Sequence, residues 1–268
     1  MKYRLLFLVV LFNLALNSGC TRISTLDQAK TLPDSLAGYL APLTLPNSLL
    51  LLPPPPSAGS IAQSLDEEVS KKMLALQGSP RRHLAAEDAN TQFPEAAGIF
   101  SCALGAPITE KDTPHLYLLL SKTVADAGGS TDKAKKNYQR KRPFLINNQS
   151  TCTPDLEKYM INSGSYPSGH SAAGWALALI LSEIAPERTD AVLARGLAFG
   201  ESRLVCNAHW YSDVVAGRVM GAATVARLHA DPVFRADLDA AKAEYAVLYR
   251  RGVKPQRDCA AETAALAQ

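Results

Sequence analysis

The sequence predicts an all-α protein with one helical-bundle domain. Apolar residues recur at three- and four-residue spacing in long segments, which is the period of one helical face. Proline, glycine and asparagine separate these segments, and alternating β-branched runs are scarce. A chain of 268 residues with 47% hydrophobic composition can bury one good-sized core. We therefore expect a single domain with short appendages.

The N-terminus has the pattern of a signal peptide. Lys2 and Arg4 precede an apolar run from Leu5 to Leu16, which is too short to span a bilayer. We expect residues 1–19 to be removed on export to the periplasm. Cys20 is a candidate lipid-anchor residue, so a free periplasmic protein and an outer-membrane lipoprotein are both retained as alternatives.

The rest of the chain divides into an arm, a domain and a tail. Residues 20–57 are rich in Leu and Pro and end in Pro53–Pro56, so we expect an extended arm. Residues 58–252 form the predicted domain, and residues 253–268 are expected to be a frayed tail. The predicted helices are Ile61–Leu76, His83–Asp88, Thr109–Ala127, Thr131–Arg142, Ser168–Ile184, Thr189–Cys206, Ser212–His229 and Pro232–Tyr249.

Charge and hydropathy argue against nucleic acid as a partner and against a membrane-spanning segment in the mature chain. The chain has 28 Lys and Arg against 25 Asp and Glu, a formal net charge of +3, which gives no reason to expect nucleic acid. The longest apolar stretch after the signal, Ala172 to Leu181, is too short for a membrane span. We predict that it forms a central core helix and that the mature chain has no transmembrane segment.

Export would place four cysteines in an oxidising compartment. They are Cys102, Cys152, Cys206 and Cys259. Their even number predicts two disulfides, and the sequence alone leaves all three pairings open.

The first of three polar segments, Lys135-x6-Arg142-Pro143, brings two cations together. A spacing of seven places both on one face of a helix that Pro143 should end. A solvated basic face is the alternative, because the same stretch holds four further cations. These are Lys133, Lys136, Arg140 and Lys141.

The second segment, from Gly164 to His170, is predicted to be a loop that enters the core helix. Backbone NH groups at a helix start bind anions, and the Ser168 hydroxyl adds a donor. Gly169 lets a ligand approach the backbone. The alternative is an ordinary helix cap followed by a histidine that packs or caps.

The third segment, Ser202-Arg203-x5-His209-x3-Asp213, holds a second histidine and a carboxylate. A spacing of four places His209 and Asp213 on one helical face, where the carboxylate can orient the imidazole. Metal ligation by this pair and a purely structural ion pair are the alternatives. Arg203 would bring a third cation to the site, and three cations would repel a metal.

Together these segments predict a site for one tetrahedral dianion. Lys135, Arg142 and Arg203 would neutralise its charge, and Ser168 with the backbone NH of Gly169 would complete the cradle. No metal or cofactor is needed for such a site.

The two histidines predict the chemistry of this site. His209, oriented by Asp213, would attack phosphorus, and a protonated His170 would donate its proton to the leaving alkoxide. Activity should therefore peak below neutral pH and fall as His170 loses its proton.

With these motifs the chain resembles the class A bacterial non-specific acid phosphatases, within the type 2 phosphatidic acid phosphatase and vanadium haloperoxidase superfamily. Every fixed position of the three-part signature is present. The resemblance covers residues 50–250 and is most specific in Gly164-Ser165-Tyr166-Pro167-Ser168-Gly169-His170. Further similar stretches are Leu52–Pro56, Ala86–Asn90 and Pro107–Asp112.

The resemblance implies an all-α catalytic domain in the periplasm that hydrolyses a broad range of small phosphomonoesters without a metal. It also implies an acidic pH optimum, inhibition by vanadate and a homo-oligomer. His209 falls on the family's nucleophile and His170 on its acid. Ser171 stands where the family usually has Thr, which keeps the hydroxyl.

The resemblance also implies a disulfide pairing. Cys152 and Cys206 match cysteines of the family, whereas Cys102 and Cys259 are additions. Pairing Cys152 with Cys206 and Cys102 with Cys259 is therefore expected.

Three alternative functions share parts of this pattern. A vanadate-dependent haloperoxidase would use the same cradle, but the class A signature disfavours it. A membrane lipid phosphatase would need several spans that this chain lacks. A non-catalytic periplasmic phosphate-binding protein would need the cations but neither His170 nor His209.

Overall fold

The computed structural model describes residues 37–268, which form α-helices and three short 3-10 helices with no strand between residues 37 and 268. The helices are α1 Ser48–Leu51, α2 Ile61–Leu74, α3 Pro80–Glu87, α4 Ser101–Leu104, α5 Pro114–Ser130, α6 Asp132–Tyr138, α7 Phe144–Asn147, α8 Glu157–Met160, α9 Gly169–Ile184, α10 Thr189–Val205, α11 Tyr211–Leu228, α12 Pro232–Arg251 and α13 Cys259–Leu266. The 3-10 helices are Glu95–Phe100, Pro154–Leu156 and Pro186–Arg188. The predicted all-α fold is confirmed, whereas the predicted signal peptide and Cys20 lie outside the described residues.

Helix α9 is the central element of the core. It packs against α5, α10 and α11, and most of its side chains are buried. Helix α11 approaches it closely through glycines: a Cβ on Gly217 would lie 2.4 Å from the Ser168 carbonyl oxygen, and one on Gly221 would lie 2.4 Å from that of Ala172. The small residues therefore fix α11 against the first turns of α9.

The N-terminal arm is attached to the domain by hydrogen bonds. The buried carboxylate of Asp126 on α5 accepts the backbone NH groups of Tyr39, at 2.8 Å, and Leu40, at 3.2 Å. Further along, the Tyr166 hydroxyl donates to the Pro53 carbonyl at 2.9 Å. The arm thus reaches the loop that precedes α9.

One predicted helix end and one predicted helical face were wrong near the site. Helix α6 ends at Tyr138 instead of Arg142, because Gln139 takes the left-handed conformation with φ 46°. Helix α11 begins at Tyr211, within one residue of its predicted start, so His209 lies in the preceding loop instead of on a helical face with Asp213. Both Arg142 and His209 are therefore presented by non-helical backbone.

The four described cysteines form two disulfides. Cys102 is bonded to Cys259, and Cys152 to Cys206, with Cα–Cα distances of 5.4 and 4.8 Å. This is the pairing implied by the family resemblance. The C-terminal residues, expected to be frayed, instead form α13. Between residues 37 and 268, no helix has the length and apolar character needed to cross a membrane.

Candidate active site

The two cations of the first motif meet at the loop before α9. Lys135 Nζ donates to the Gly164 carbonyl oxygen at 3.0 Å, and Arg142 Nη2 approaches the same oxygen at 3.5 Å. Arg142 Nε also donates to the carbonyl of Ser163 at 3.1 Å. The side chains converge as the sequence predicted, although Arg142 is not on the helix.

Arg142 also contacts His209 and fixes its protonation pattern. Arg142 Nη1 lies 3.0 Å from His209 Nε2. A guanidinium has donors and no acceptor, so Nε2 accepts this hydrogen bond and carries no proton. Nδ1 then carries the proton and donates to Asp213 Oδ2 at 3.3 Å. The ring is therefore held with an unprotonated nitrogen beside a cation.

Asp213 is a buried carboxylate with several donors. It lies in the first turn of α11, where Oδ2 accepts the Trp210 backbone NH at 2.8 Å and the Ser165 hydroxyl at 2.6 Å. Its Oδ1 accepts from Arg140 Nη1 at 2.7 Å. These bonds hold the carboxylate that orients His209, and they join α11 to the Ser165 loop.

The loop that carries His209 is attached to the segment around Arg142 by polar and covalent bonds. Asn207, with φ 58°, exchanges side-chain amide hydrogen bonds with Asn147 at 2.8 and 3.0 Å. Cys206, the residue before Asn207, forms a disulfide with Cys152. On the other side of His209, Trp210 Nε1 donates to the Lys141 carbonyl at 2.8 Å. This loop is therefore fixed on both sides of the histidine.

Ser168 and Gly169 form the start of α9, as predicted. Ser168 is the N-cap, its Oγ accepting the Ser171 NH at 3.2 Å, and its own NH donates to the Asp213 carbonyl at 2.9 Å. A Cβ on Gly169 would lie 3.9 Å from Lys135 Cε. The helix start therefore lies next to the cation of the first motif.

Arg203 is the buried cation of the third motif. Its side chain is 2% exposed, and its Nε and Nη1 have no hydrogen-bond partner among residues 37–268. Burial, together with the charge of Arg142, lowers the pKa of Arg203 to about 10, which leaves it protonated at neutral pH. Buried polar groups are seldom left unbonded, so these donors indicate a site for an anionic ligand.

His170 is held by the chain that follows α3. Its Nε2 lies 3.0 Å from the Ala89 carbonyl oxygen. A carbonyl only accepts, so Nε2 carries a proton and Nδ1 is the nitrogen left to gain a second one. Burial and the charge of Arg203 lower the pKa of His170 to about 3.

The same cause lowers the pKa of the other basic groups. Burial, followed by the charge of Arg142, lowers the pKa of Lys135 to about 7 and that of His209 well below its ordinary value. Like charges buried together repel one another, and a dianion among them would relieve that repulsion. The eight predicted site residues thus meet in one basic site that suits an anion.

Arg140 is a functional residue whose role the sequence analysis missed. The basic stretch favours a solvated position for Arg140, yet Arg140 joins Asp213 to Asp66 of α2. It donates to Asp66 Oδ2 at 2.7 Å and to Ser212 Oγ at 2.7 Å. Its side chain is 9% exposed. Asp66 is the first of three consecutive acidic residues in α2, so nothing in the sequence marks it as the partner of Arg140.

The comparisons with known proteins agree with this geometry. Residues 114–236 match the model of the PAP2 superfamily. The chain is 45% identical over 203 residues to the non-specific acid phosphatase of Providencia stuartii, covering 75% of this chain and 82% of that protein. It is 45% identical over 210 residues to the non-specific acid phosphatase of Salmonella typhimurium, covering 78% and 84%. With the acid phosphatase of Zymomonas mobilis it shares 36% identity over 241 residues, covering 90% and 89%.

An all-α domain with a basic, histidine-containing anion site at the start of its central helix defines a PAP2-type protein. Within that superfamily, the extent of identity and the intact Gly164–His170 motif are decisive. The chain belongs to the class A bacterial non-specific acid phosphatases.

Proposed function

We propose that this acid phosphatase hydrolyses small organic phosphomonoesters through a phosphohistidine on His209, with His170 as the general acid. The observation that carries the proposal is the arrangement around His209. Its Nε2 is unprotonated beside Arg142 Nη1, and its Nδ1–H is held by Asp213. A neutral imidazole with one unprotonated, oriented nitrogen is a competent nucleophile once the bound phosphoryl group takes over the hydrogen bond from Arg142.

The phosphoryl group would lie among Lys135, Arg142 and Arg203. The two unbonded nitrogens of Arg203 support this position, because they would donate to phosphate oxygens. The Ser168 hydroxyl and the NH of Gly169 at the start of α9 add neutral donors. These donors would hold the transferred group while its charge is redistributed.

The first step forms a bond between His209 Nε2 and phosphorus as the phosphorus–oxygen bond to the organic group breaks. The electron pair of that bond goes to the leaving oxygen, which takes a proton from His170. A water molecule then attacks phosphorus and gives a proton to His170, and the phosphorus–nitrogen pair returns to His209. Phosphate and the alcohol are the products, and both histidines regain their starting states.

The charges of the site support these two roles differently. A lowered pKa keeps His209 neutral in mildly acidic solution, as a nucleophile requires. His170 must be protonated, yet burial and the surrounding cations lower its pKa to about 3. A phosphate dianion bound between the cations opposes that effect, because an opposite charge favours the protonated imidazole. Substrate binding would therefore raise the pKa of His170.

We further propose that the enzyme needs no metal, acts in the periplasm as a homo-oligomer and is inhibited by vanadate. Three cations supply the charge that a metal ion would otherwise provide. Vanadate has the shape and charge of phosphate, and His209 Nε2 can bond to its vanadium. Haloperoxidase activity and non-catalytic phosphate binding are the alternatives, and the first experiment separates them.

That experiment measures hydrolysis of p-nitrophenyl phosphate at about pH 5 to 6, where an unperturbed histidine is largely protonated, in the presence of EDTA. The wild-type chain should be active and His209→Ala inactive. His229→Ala is the matched control, because its side chain is 39% exposed, and it should keep wild-type activity. Loss of wild-type activity in EDTA would contradict a metal-free mechanism, and an active His209→Ala would contradict the nucleophile. Peroxide-dependent bromination with vanadate but no hydrolysis would favour the haloperoxidase.

A second measurement tests the intermediate itself. The enzyme is mixed with a substrate that carries a radioactive phosphoryl group, and the reaction is quenched rapidly with alkali. Label should remain on the wild-type chain, because phosphohistidine survives alkali and is lost in acid. The label should be absent from His209→Ala. Label that survives acid would indicate a phosphoester on a hydroxyl group instead.

A further inference from the structure

Helix α13 is anchored to the domain by covalent and ionic bonds. The Cys102–Cys259 disulfide ties its first residue to α4. Glu262, in its first turn, is 6% exposed, and Ala265 is 5% exposed. Charged residues are rarely buried unless they are paired, so a buried Glu262 is expected to have a cationic partner.

Glu262 has two arginine partners. Its Oε2 accepts from Arg257 Nε at 2.8 Å, and its Oε1 forms an ion pair with Arg195, 3.3 Å from Nε, without hydrogen-bond geometry. Each arginine extends to an acidic residue at the end of α3. Arg257 pairs with Glu87, and Arg195 binds both oxygens of Asp88, at 2.5 and 3.1 Å. One carboxylate of α13 therefore holds, through two cations, two consecutive residues of the chain.

The residue that follows this pair is Ala89, whose carbonyl accepts the hydrogen bond from His170 Nε2 at 3.0 Å. Asp88 also accepts from the Ser202 hydroxyl at 2.6 Å, next to Arg203. Asp88 is completely buried and Arg195 is 2% exposed. The backbone that holds His170 is thus fixed by a buried ionic network that ends on α13.

We propose that Glu262 is a positioning residue for His170: through Arg195 and Arg257 it holds the end of α3 so that the Ala89 carbonyl orients the imidazole. This inference rests on the proposed function, in which His170 is the acid. Without Glu262, Arg195 and Arg257 lose the carboxylate they share, and the segment carrying Ala89 can move. A misplaced acid still allows attack by His209 but protonates the leaving oxygen less well.

The experiment compares two substrates that differ in their need for the acid. p-Nitrophenolate leaves readily without a proton, whereas the alkoxide of glycerol phosphate does not. In Glu262→Gln, kcat/KM for glycerol phosphate should fall at least about tenfold more than kcat/KM for p-nitrophenyl phosphate. This difference is a fraction of the roughly 10² to 10⁴-fold rate increase that a general acid supplies. Glu110→Gln is the matched control at an exposed glutamate and should change neither value.

Glu262→Asp and His170→Ala complete the test. The shorter carboxylate should recover part of the lost glycerol phosphate activity, which a loss of global stability would not predict. Equal losses for both substrates in Glu262→Gln, or no loss, would overturn the inference. If His170→Ala shows the selective loss and Glu262→Gln does not, only the inference fails. If His170→Ala lowers both substrates equally, the acid assignment of the proposed function fails. Glu262→Gln is chosen over an alanine substitution because it keeps the side-chain volume and one hydrogen-bond acceptor, so the domain should still fold.

Discussion

Nη1 of Arg142 lies 3.0 Å from His209 Nε2 and 3.0 Å from the Ala208 carbonyl oxygen, so a single guanidinium nitrogen contacts both the reactive ring and the loop that carries it. The same side chain reaches the carbonyl groups of Met160 and Ser163 through Nε. In the proposed mechanism Arg142 therefore does more than neutralise phosphate, because it also positions the ring of His209, the proposed nucleophile.

We expect Arg142→Lys to lower kcat/KM for p-nitrophenyl phosphate by about 10² to 10³-fold, the usual effect of losing one preorganised donor. A lysine keeps the charge but not the planar fork that meets four oxygens and a ring nitrogen. Steady-state kinetics checks the rate, and ¹⁵N NMR of the free enzyme should find the proton of His209 on Nδ1. Lys141→Arg, at an exposed neighbour, should change neither the rate nor the position of the proton. A fully active Arg142→Lys would mean that Arg142 contributes only its positive charge.

Arg140→Met should destabilise the fold by about 3 to 5 kcal/mol, the usual effect of removing one partner from a buried ion pair. The change leaves the carboxylates of Asp66 and Asp213 without their shared cation. Urea unfolding measures the loss. Lys133→Met, in the same basic stretch but exposed, is expected to stay within about 0.5 kcal/mol of wild type. Equal stability of the two variants would mean that the Arg140 network contributes little.

The difference between Arg140 and Lys133 marks the limit of what the sequence could predict. Helical periodicity identified the all-α fold and the main helices, because each long helix buries one face. The three motifs, taken together, predicted one site for eight residues, although the helical positions expected for Arg142 and His209 were wrong. Which cation of a basic stretch turns inward depends on Gln139, whose left-handed backbone ends α6, and on Asp66, which lies far away in sequence.

The C-terminal helix shows a second limit. Ala260 to Gln268 contains few large apolar residues, so periodicity alone indicated no reason for it to pack. Its position depends on Cys259 and Glu262, whose partners Cys102 and Arg195 come from two distant parts of the chain. Long-range pairing of this kind leaves no periodic signal in the sequence.

Gly217→Ala should lower the free energy of unfolding by about 1 to 3 kcal/mol, the usual effect of overpacking a close contact. The new Cβ would lie 2.4 Å from the Ser168 carbonyl oxygen, and backbone cannot give way as a side chain does. Thermal unfolding, together with kcat, measures the effect on α9 and on the site. Gly128→Ala is the control in α5, where a Cβ meets nothing within 4 Å, and it should be neutral or stabilising.

The basic limb of the kcat profile should lie at higher pH than the basic limb of kcat/KM. The kcat/KM profile reports the free enzyme, in which burial and Arg203 lower the pKa of His170 to about 3, and kcat reports the substrate complex. A bound dianion raises that pKa, so His170 stays protonated to higher pH. Coincident limbs, once the ionisation of the substrate is accounted for, would contradict the assignment of His170.

The arm contact of Asp126 should make stability depend on pH. Burial raises the pKa of Asp126 to about 6, although the NH groups of Tyr39 and Leu40 oppose the rise. The folded state then binds a proton more readily than the unfolded state, so this contribution is full below about pH 4 and is lost as pH rises through about 6. Asp126→Asn should reduce the fall in Tm between about pH 4.5 and 7.5. If Tm falls as much in Asp126→Asn as in the wild type, the pH dependence belongs to other groups.

The bond between Cys152 and Cys206 has a consequence for where the enzyme matures. Thiols are kept reduced in a bacterial cytoplasm, so under the proposed export a newly made chain would gain this bond only in the periplasm. The loop carrying His209 would meanwhile be held to its neighbouring segment by hydrogen bonds alone. The broad range proposed above would endanger the nucleotides and sugar phosphates of the producing cell, and with the proposed export late oxidation would protect them while the protein is in transit. For the same reason, an oxidising host compartment is the appropriate place to produce the protein.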